Sequence, residues 1–186
     1  MRALTLAALA SLSAAPGLAD TLGEKAAVCS ACHGEAGVPV DKVTPIIWGQ
    51  NAGYMYLQLR DMQKGARKNE LMAPVIADLA KEDLLALAQY FAAKAWPAIK
   101  QDSAGKDDEK AALRVNASVG CTGCHLDHYQ GDASVPRTGG QQHDYLLKTM
   151  MDFRARTRGN NPGMSDLMNA AAPEELAAVA NYLSGL

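Results

Sequence analysis

Large aromatic residues are scarce in this chain: two Phe, two Trp and six Tyr among 186 residues. A domain of roughly 80 residues with so few rings is marginal unaided, because small domains bury a smaller fraction of their surface than large ones. Cysteine is scarcer still, four in all, which excludes a disulfide-dense scaffold. Neither sign of charge dominates, with 18 basic and 20 acidic residues and a net charge of −2. The basic stripe that nucleic acid requires is therefore missing. Beyond residue 19 no apolar run is long enough to span a bilayer. The chain also lacks a Gly-rich phosphate loop, a paired-carboxylate pattern and a spare cysteine nucleophile.

The N-terminus reads as an export signal. Met1-Arg2 is a short positive start, Ala3 to Ala15 an apolar stretch, and Gly17-Leu18-Ala19 a small-residue cleavage site before Asp20. Residues 1–19 are expected to be removed after Ala19, leaving a bacterial periplasmic protein. A retained anchor is the alternative.

The four cysteines sit in two copies of one frame: Cys29-Ser30-Ala31-Cys32-His33 and Cys121-Thr122-Gly123-Cys124-His125. Cys-x-x-Cys-His is the attachment signature of c-type haem. The thiols of Cys29, Cys32, Cys121 and Cys124 add to haem vinyl groups, and His33 and His125 become axial iron ligands. A thioredoxin-like redox pair needs a β/α pattern, which is absent here. A zinc site or two disulfides would leave both histidines unexplained. The expected cofactors are two covalent haem c groups, which also supply the missing apolar bulk. Export agrees, since haem is attached after translocation.

Shifting the chain by 91 or 92 residues lays one half on the other. Pro45 falls on Pro136, Gly49-Gln50 on Gly140-Gln141, Tyr54 on Tyr145, Arg67 on Arg158 and Asn69 on Asn160. After one extra residue near Gly163, Met72 falls on Met164 and Tyr90 on Tyr182. Helices are expected over 22–31, 52–64 and 81–93 and over 109–121, 142–154 and 173–183, from apolar residues at helical spacing. Gly- and Pro-containing loops separate them, and no β pattern is visible. The fold class is all-α with two tandem domains, at 20–97 and 111–186, joined by a linker at 98–110.

The repeat also chooses the sixth iron ligand. Met55 aligns with Leu146, Met62 with Phe153, Met150 with Leu59, Met151 with Arg60 and Met168 with Ile76. Positions that exchange methionine with other residues do not require a thioether, and core packing explains them. Only Met72 pairs with another methionine, Met164, in a stretch expected to be irregular. These two are the expected ligands opposite His33 and His125. His128 and His143 have no counterpart in the first half and read as surface residues, with His143 the competing ligand. A carbonyl near Pro45 and Pro136 is expected to accept the ligand histidine's ring N–H, the alternative being simple turn prolines. Arg67 and Arg158 either pair with haem propionates or remain solvated. The run Lys148, Arg154, Arg156 and Arg158 is either a solvated face or a dock for an acidic partner.

A six-coordinate His/Met haem has no vacant position for a substrate, and the soft thioether favours Fe(II). The reading is an electron-transfer protein, not an enzyme. The sequence resembles the dihaem cytochromes c of the cytochrome c4 type over nearly all of its mature length. The resemblance rests on both haem motifs, on Pro45-Ile46-Ile47-Trp48-Gly49-Gln50 with Tyr54, and on Gly65-Ala66-Arg67-Lys68-Asn69 with Met72. In the second half it rests on Pro136, Gly140-Gln141, Tyr145, Arg158, Met164 and Ala180-Asn181-Tyr182-Leu183-Ser184-Gly185-Leu186. One departure is Ala155 where the first half has Gly65.

That resemblance implies two class I cytochrome c domains about a pseudo-twofold axis, with haem propionates near their interface. It also implies redox protein partners: a respiratory donor and an acceptor such as a terminal oxidase, with peripheral membrane association compatible. The alternatives are the electron-accepting subunit of a flavocytochrome c sulfide dehydrogenase, suggested by Asp152-Phe153-Arg154, and a dihaem peroxidase.

Overall fold

The computed structural model describes residues 18–102 and 104–186. The expected signal peptide lies outside them apart from its last two residues. All regular structure among the described residues is helical, and no helix there is long and apolar enough to cross a membrane. In the first half α1 (Leu18–His33), α2 (Ala52–Gln63), α3 (Met72–Ile76) and α4 (Lys81–Ala92) pack together. In the second, α5 (Lys106–Val119), α7 (His143–Arg154), α8 (Pro162–Ala170) and α9 (Pro173–Ser184) do the same, with the short α6 (Thr122–His125) after α5.

The sequence periodicity explains the packing. Helix α4 buries Leu84, Leu87, Ala88 and Phe91, and α9 buries Leu176, Val179, Ala180 and Leu183. Each set follows the i, i+3, i+4, i+7 pattern of a helix with one apolar face. Burying one such leucine or phenylalanine contributes about 1.5–3 kcal/mol. Both helices begin alike: the N3 carboxylates of Asp83 and Glu175 accept from the backbone N–H of Ala80 and Ala172, which satisfies an otherwise orphaned donor. Helices α2 and α7 also match, burying Met55 and Met62 in one and Leu146, Met150 and Phe153 in the other.

Several expectations need correction. Helix α1 extends to both sides of 22–31 and carries the whole first haem motif in its final turns. Helix α5 begins at Lys106, inside the stretch read as linker, because Asp107, Asp108 and Glu109 favour the positive end of a helix. It stops before the second motif at Gly120, whose φ of 72° is left-handed, and Asn116 Oδ1 bridges the break by accepting from Thr122 N–H at 3.0 Å. The two methionines are not in irregular chain: Met72 opens α3 and Met164 lies in the first turn of α8. Asn69 Oδ1 and Asn161 Oδ1 accept from their backbone N–H groups, each at 3.1 Å. Asn161, not Asn160, is thus the counterpart of Asn69. Likewise Gly65 (φ 74°) corresponds to Arg156 (φ 55°) and not to Ala155, since both follow a C-cap and donate to the same turn carbonyl, Met62 O and Phe153 O.

Candidate haem sites

Each Cys-x-x-Cys-His frame is placed by a helix end and closed by the loop behind it. In the first half α1 ends at His33, and Val40 N–H returns to Cys32 O at 3.0 Å. In the second, α6 ends at His125, and Gly131 N–H donates to His125 O at 2.9 Å. None of the four cysteines is paired in a disulfide, and Cys32 and Cys124 are exposed. Burial pushes the Cys29 and Cys121 thiols up. No group of acid, cysteine and histidine side chains able to hold a metal ion occurs among the described residues.

The histidine rings are fixed from one side. His33 Nδ1 donates to Pro45 O at 2.8 Å, and His125 Nδ1 donates to Pro136 O at 3.0 Å. This is the orienting carbonyl expected in the loops, and it belongs to the prolines themselves. Burial pulls both imidazoles below the usual histidine range, against the opposing pull of those carbonyls. A neutral ring with Nδ1 engaged keeps its lone pair on Nε2, the state a metal requires.

Met164 and Cys121 pack against one core that includes Tyr129, Leu146 and Leu176. Met72 packs with Met62, Ile76 and Leu84, a cluster joined to the one holding Cys29 through Tyr56 and Leu79. Met55, Met62, Met150 and Met168 are core residues, each at most 7% exposed, in keeping with their exchangeable positions. His128 is exposed. His143 is half-buried, and its Nδ1 contacts Asp144 Oδ1 at 2.7 Å.

The two halves meet through residues that the repeat pairs. Gln141 crosses to the first half, where its Oε1 accepts from Ile46 N–H at 2.8 Å and its Nε2 donates to Ile46 O at 3.0 Å. Gln50 does the same in the other direction with Arg137 N–H and O, at 2.8 and 2.9 Å. Tyr54 N–H donates to Ala133 O and Tyr145 N–H to Lys42 O. Arg158 Nη2 donates to Tyr54 OH at 3.2 Å and Arg67 Nη2 to Tyr145 OH at 3.4 Å. Every one of these contacts has a mate at the repeat spacing, so the halves are related by a pseudo-twofold axis.

Charge collects at this axis. Gln58 Oε1 accepts from Arg67, Arg158 and Asn160. Burial would raise the Tyr145 phenol, but the Arg67 and Arg158 guanidinium groups outweigh it and bring it down to about 7. Burial raises Tyr54. The basic run is divided: Lys148 and Arg156 are exposed and pair with Asp152 and Asp166, Arg154 Nη1 donates to the carbonyls of Met168, Asn169 and Ala171, and Arg158 is buried.

These residues fit haem. Each half offers two cysteine thiols, a histidine whose Nδ1 is engaged by a carbonyl and a methionine in the same or an adjoining core cluster as a cysteine of the motif. Three buried polar atoms, Trp48 Nε1, Thr138 Oγ1 and Arg158 Nη1, have no hydrogen-bond partner among the described residues. Isolated buried donors of this kind are costly unless a ligand oxygen meets them.

No family model matches the chain. Cytochrome c4 of Pseudomonas aeruginosa is 33% identical to it over 91% of this chain and 92% of that protein, and cytochrome c4 of Thiocapsa roseopersicina is 35% identical over 94% and 96%. The solved cytochrome c4 of Pseudomonas stutzeri superimposes with a TM-score of 0.78 at 28% identity, covering 91% of this chain and 99% of that one. A thiosulfate dehydrogenase electron acceptor from Stutzerimonas stutzeri is 31% identical over 87% of this chain and 80% of that protein. With two class I cytochrome c domains, two Cys-x-x-Cys-His frames and relatives matched along nearly their whole length, the chain belongs to the cytochrome c4 family of dihaem electron-transfer proteins, which carry two covalently bound haem c groups.

Proposed function

We propose that the chain is an exported, periplasmic electron shuttle, cleaved after Ala19. It passes one electron at a time from a respiratory donor to an acceptor such as a terminal oxidase. Cys29 and Cys32 tether the first haem and Cys121 and Cys124 the second, with His33 and Met72, and His125 and Met164, as axial pairs. Haem iron supplies the one-electron chemistry. The protein's part is to hold a closed coordination shell. Domain limits of 20–97 and 111–186 fit this division, with α5 extending the second unit back to Lys106.

The observation that carries the reading is the twofold occurrence of one arrangement. Each half brings a histidine tied through Nδ1 to a proline carbonyl and a methionine whose N–H is held by an asparagine. His33 and Met72 stand on different elements, α1 and α3, and would hold the iron from separate parts of the first half. Arg158 Nη1, buried and unpaired, is the donor best suited to a propionate carboxylate at the interface.

Visible spectra of the holoprotein with carbon monoxide added to the reduced form test this. The expected result is a methionine-to-iron(III) charge-transfer band in the oxidised form and no carbon monoxide shift. A shift in half the haem would replace the shuttle by a peroxidase-like enzyme.

The thiosulfate dehydrogenase electron acceptor among the relatives supports a second reading, in which a sulfur-oxidising dehydrogenase is the donor. An electron-accepting subunit of a flavocytochrome c sulfide dehydrogenase-like complex is the related variant, and the exposed Lys148 and Arg156 remain accessible to such a partner. Stopped-flow reduction by thiosulfate dehydrogenase with thiosulfate, compared with reduction by a quinol-oxidising complex, separates the two donors.

A further inference from the structure

The peptide group between Pro45 and Ile46 is engaged at both ends. Its carbonyl accepts from His33 Nδ1 at 2.8 Å, and its N–H donates to Gln141 Oε1 of the opposite domain at 2.8 Å. The peptide between Pro136 and Arg137 is held the same way, by His125 Nδ1 at 3.0 Å and by Gln50 Oε1 at 2.8 Å. One planar group thus lies between a histidine of its own domain and a glutamine of the other.

The glutamines are suited to more than holding the domains together. Both are nearly inaccessible, Gln50 at 4% and Gln141 at 2% exposure, so water does not compete for the peptide N–H. Each is also fixed by a second bond, its Nε2 donating to the carbonyl of the same residue that donates to its Oε1. Amide resonance links the two ends of a peptide. An acceptor on the N–H therefore puts negative charge on the carbonyl oxygen, and hydrogen bonds in such a chain strengthen one another. A stronger carbonyl draws harder on the histidine Nδ1 proton and makes Nε2 a better electron donor to a metal.

We infer that Gln141 and Gln50 are positioning residues that set the donor strength of His33 and His125 across the interface, so that each domain lowers the reduction potential of the other's haem. The inference rests on the axial-ligand reading above.

The test uses the full holoprotein with Gln141→Met and Gln50→Met, substitutions of similar length that lack the amide acceptor. Potentiometric titration resolves the two midpoints, and NMR of the oxidised protein assigns them through hyperfine-shifted ring protons of His33 and His125. Gln141→Met should raise the midpoint of the first-domain haem, with the second moving less than half as far. Gln50→Met should give the reverse.

Equal shifts of both haems, or a larger shift in the substituted residue's own domain, would overturn the inference and leave a merely structural contact. Should a Met variant fail to take up haem, Gln141→Asn or Gln50→Asn weakens the same bond and is judged by the same crossed pattern. Failure of the ligand reading is separable. Wild-type spectra lacking shifted histidine-ring and methionine-methyl signals from both haems would remove the ligands, whereas intact signals with an uncrossed pattern remove only the tuning.

Discussion

Asp61 shows how a single side chain ties acid stability to the interface. Its Oδ2 accepts from Asn160 of the opposite half at 2.9 Å, and its Oδ1 accepts from Arg60 Nε and Nη2 at 3.0 and 2.7 Å. Burial raises its pKa, but the bonds from Asn160 and Arg60 and the charge of Arg67 outweigh this and hold the carboxyl below its ordinary value of 3.8. A depressed folded value means the contribution is present in full above the unfolded pKa and is lost as pH falls through the folded one. Asp61→Asn should therefore lower stability at neutral pH yet flatten the loss below about pH 4. Thermal denaturation followed across pH 7 to 2 checks both signs.

At the scale of elements, the left-handed residue after α2 and after α7 offers a matched pair. A Cβ at Gly65 would meet nothing within 4 Å, so Gly65→Ala should cost about 1 kcal/mol from backbone conformation alone. Arg156 already bears that strain, and its exposed pairing with Asp166 returns little. Arg156→Gly should then stabilise the protein by roughly 0.5–1 kcal/mol. Calorimetry of both variants should show midpoints moving in opposite directions. The helices were legible beforehand because Leu84, Leu87, Ala88 and Phe91 repeat as Leu176, Val179, Ala180 and Leu183, and spacing alone fixes a buried face. Met72 and Met164 stood out because only they repeat as methionine. The roles of Gln50 and Gln141, and the burial of Arg158, were hidden for a physical reason. Glutamine and arginine are ordinarily solvated, and what buries them here is a partner domain some ninety residues away in sequence. The turn at Asn161 was misaligned because two adjacent asparagines are indistinguishable until their hydrogen bonds are known.

The whole molecule depends on how closely its halves approach. Gly53, at the start of α2, lies so near the second half that a Cβ there would sit 2.8 Å from Ala133 O and 3.1 Å from its carbonyl carbon. Both are backbone atoms, which do not swing aside. Gly53→Ala should push the halves apart, weaken the Tyr54 N–H to Ala133 O bond and cost about 1–3 kcal/mol. Thermal unfolding should broaden or divide into two steps as cooperation between the domains is lost. The linker is secured separately, Gln101 Nε2 donating to Gln141 O and Ser184 O while its Oε1 accepts from His143 N–H. The reciprocal glutamine contacts carry a further consequence. Gln50 and Gln141 occupy one position of the repeat and grip one position of the other copy, so each half bears both members of the contact. Such a surface is self-complementary, the isologous kind that builds homodimers. The polypeptide is in effect a dimer whose subunits are joined end to end, and the tether replaces protein concentration as the quantity that keeps them paired. An interface too weak to assemble two free copies at dilution can thereby stay closed within one chain.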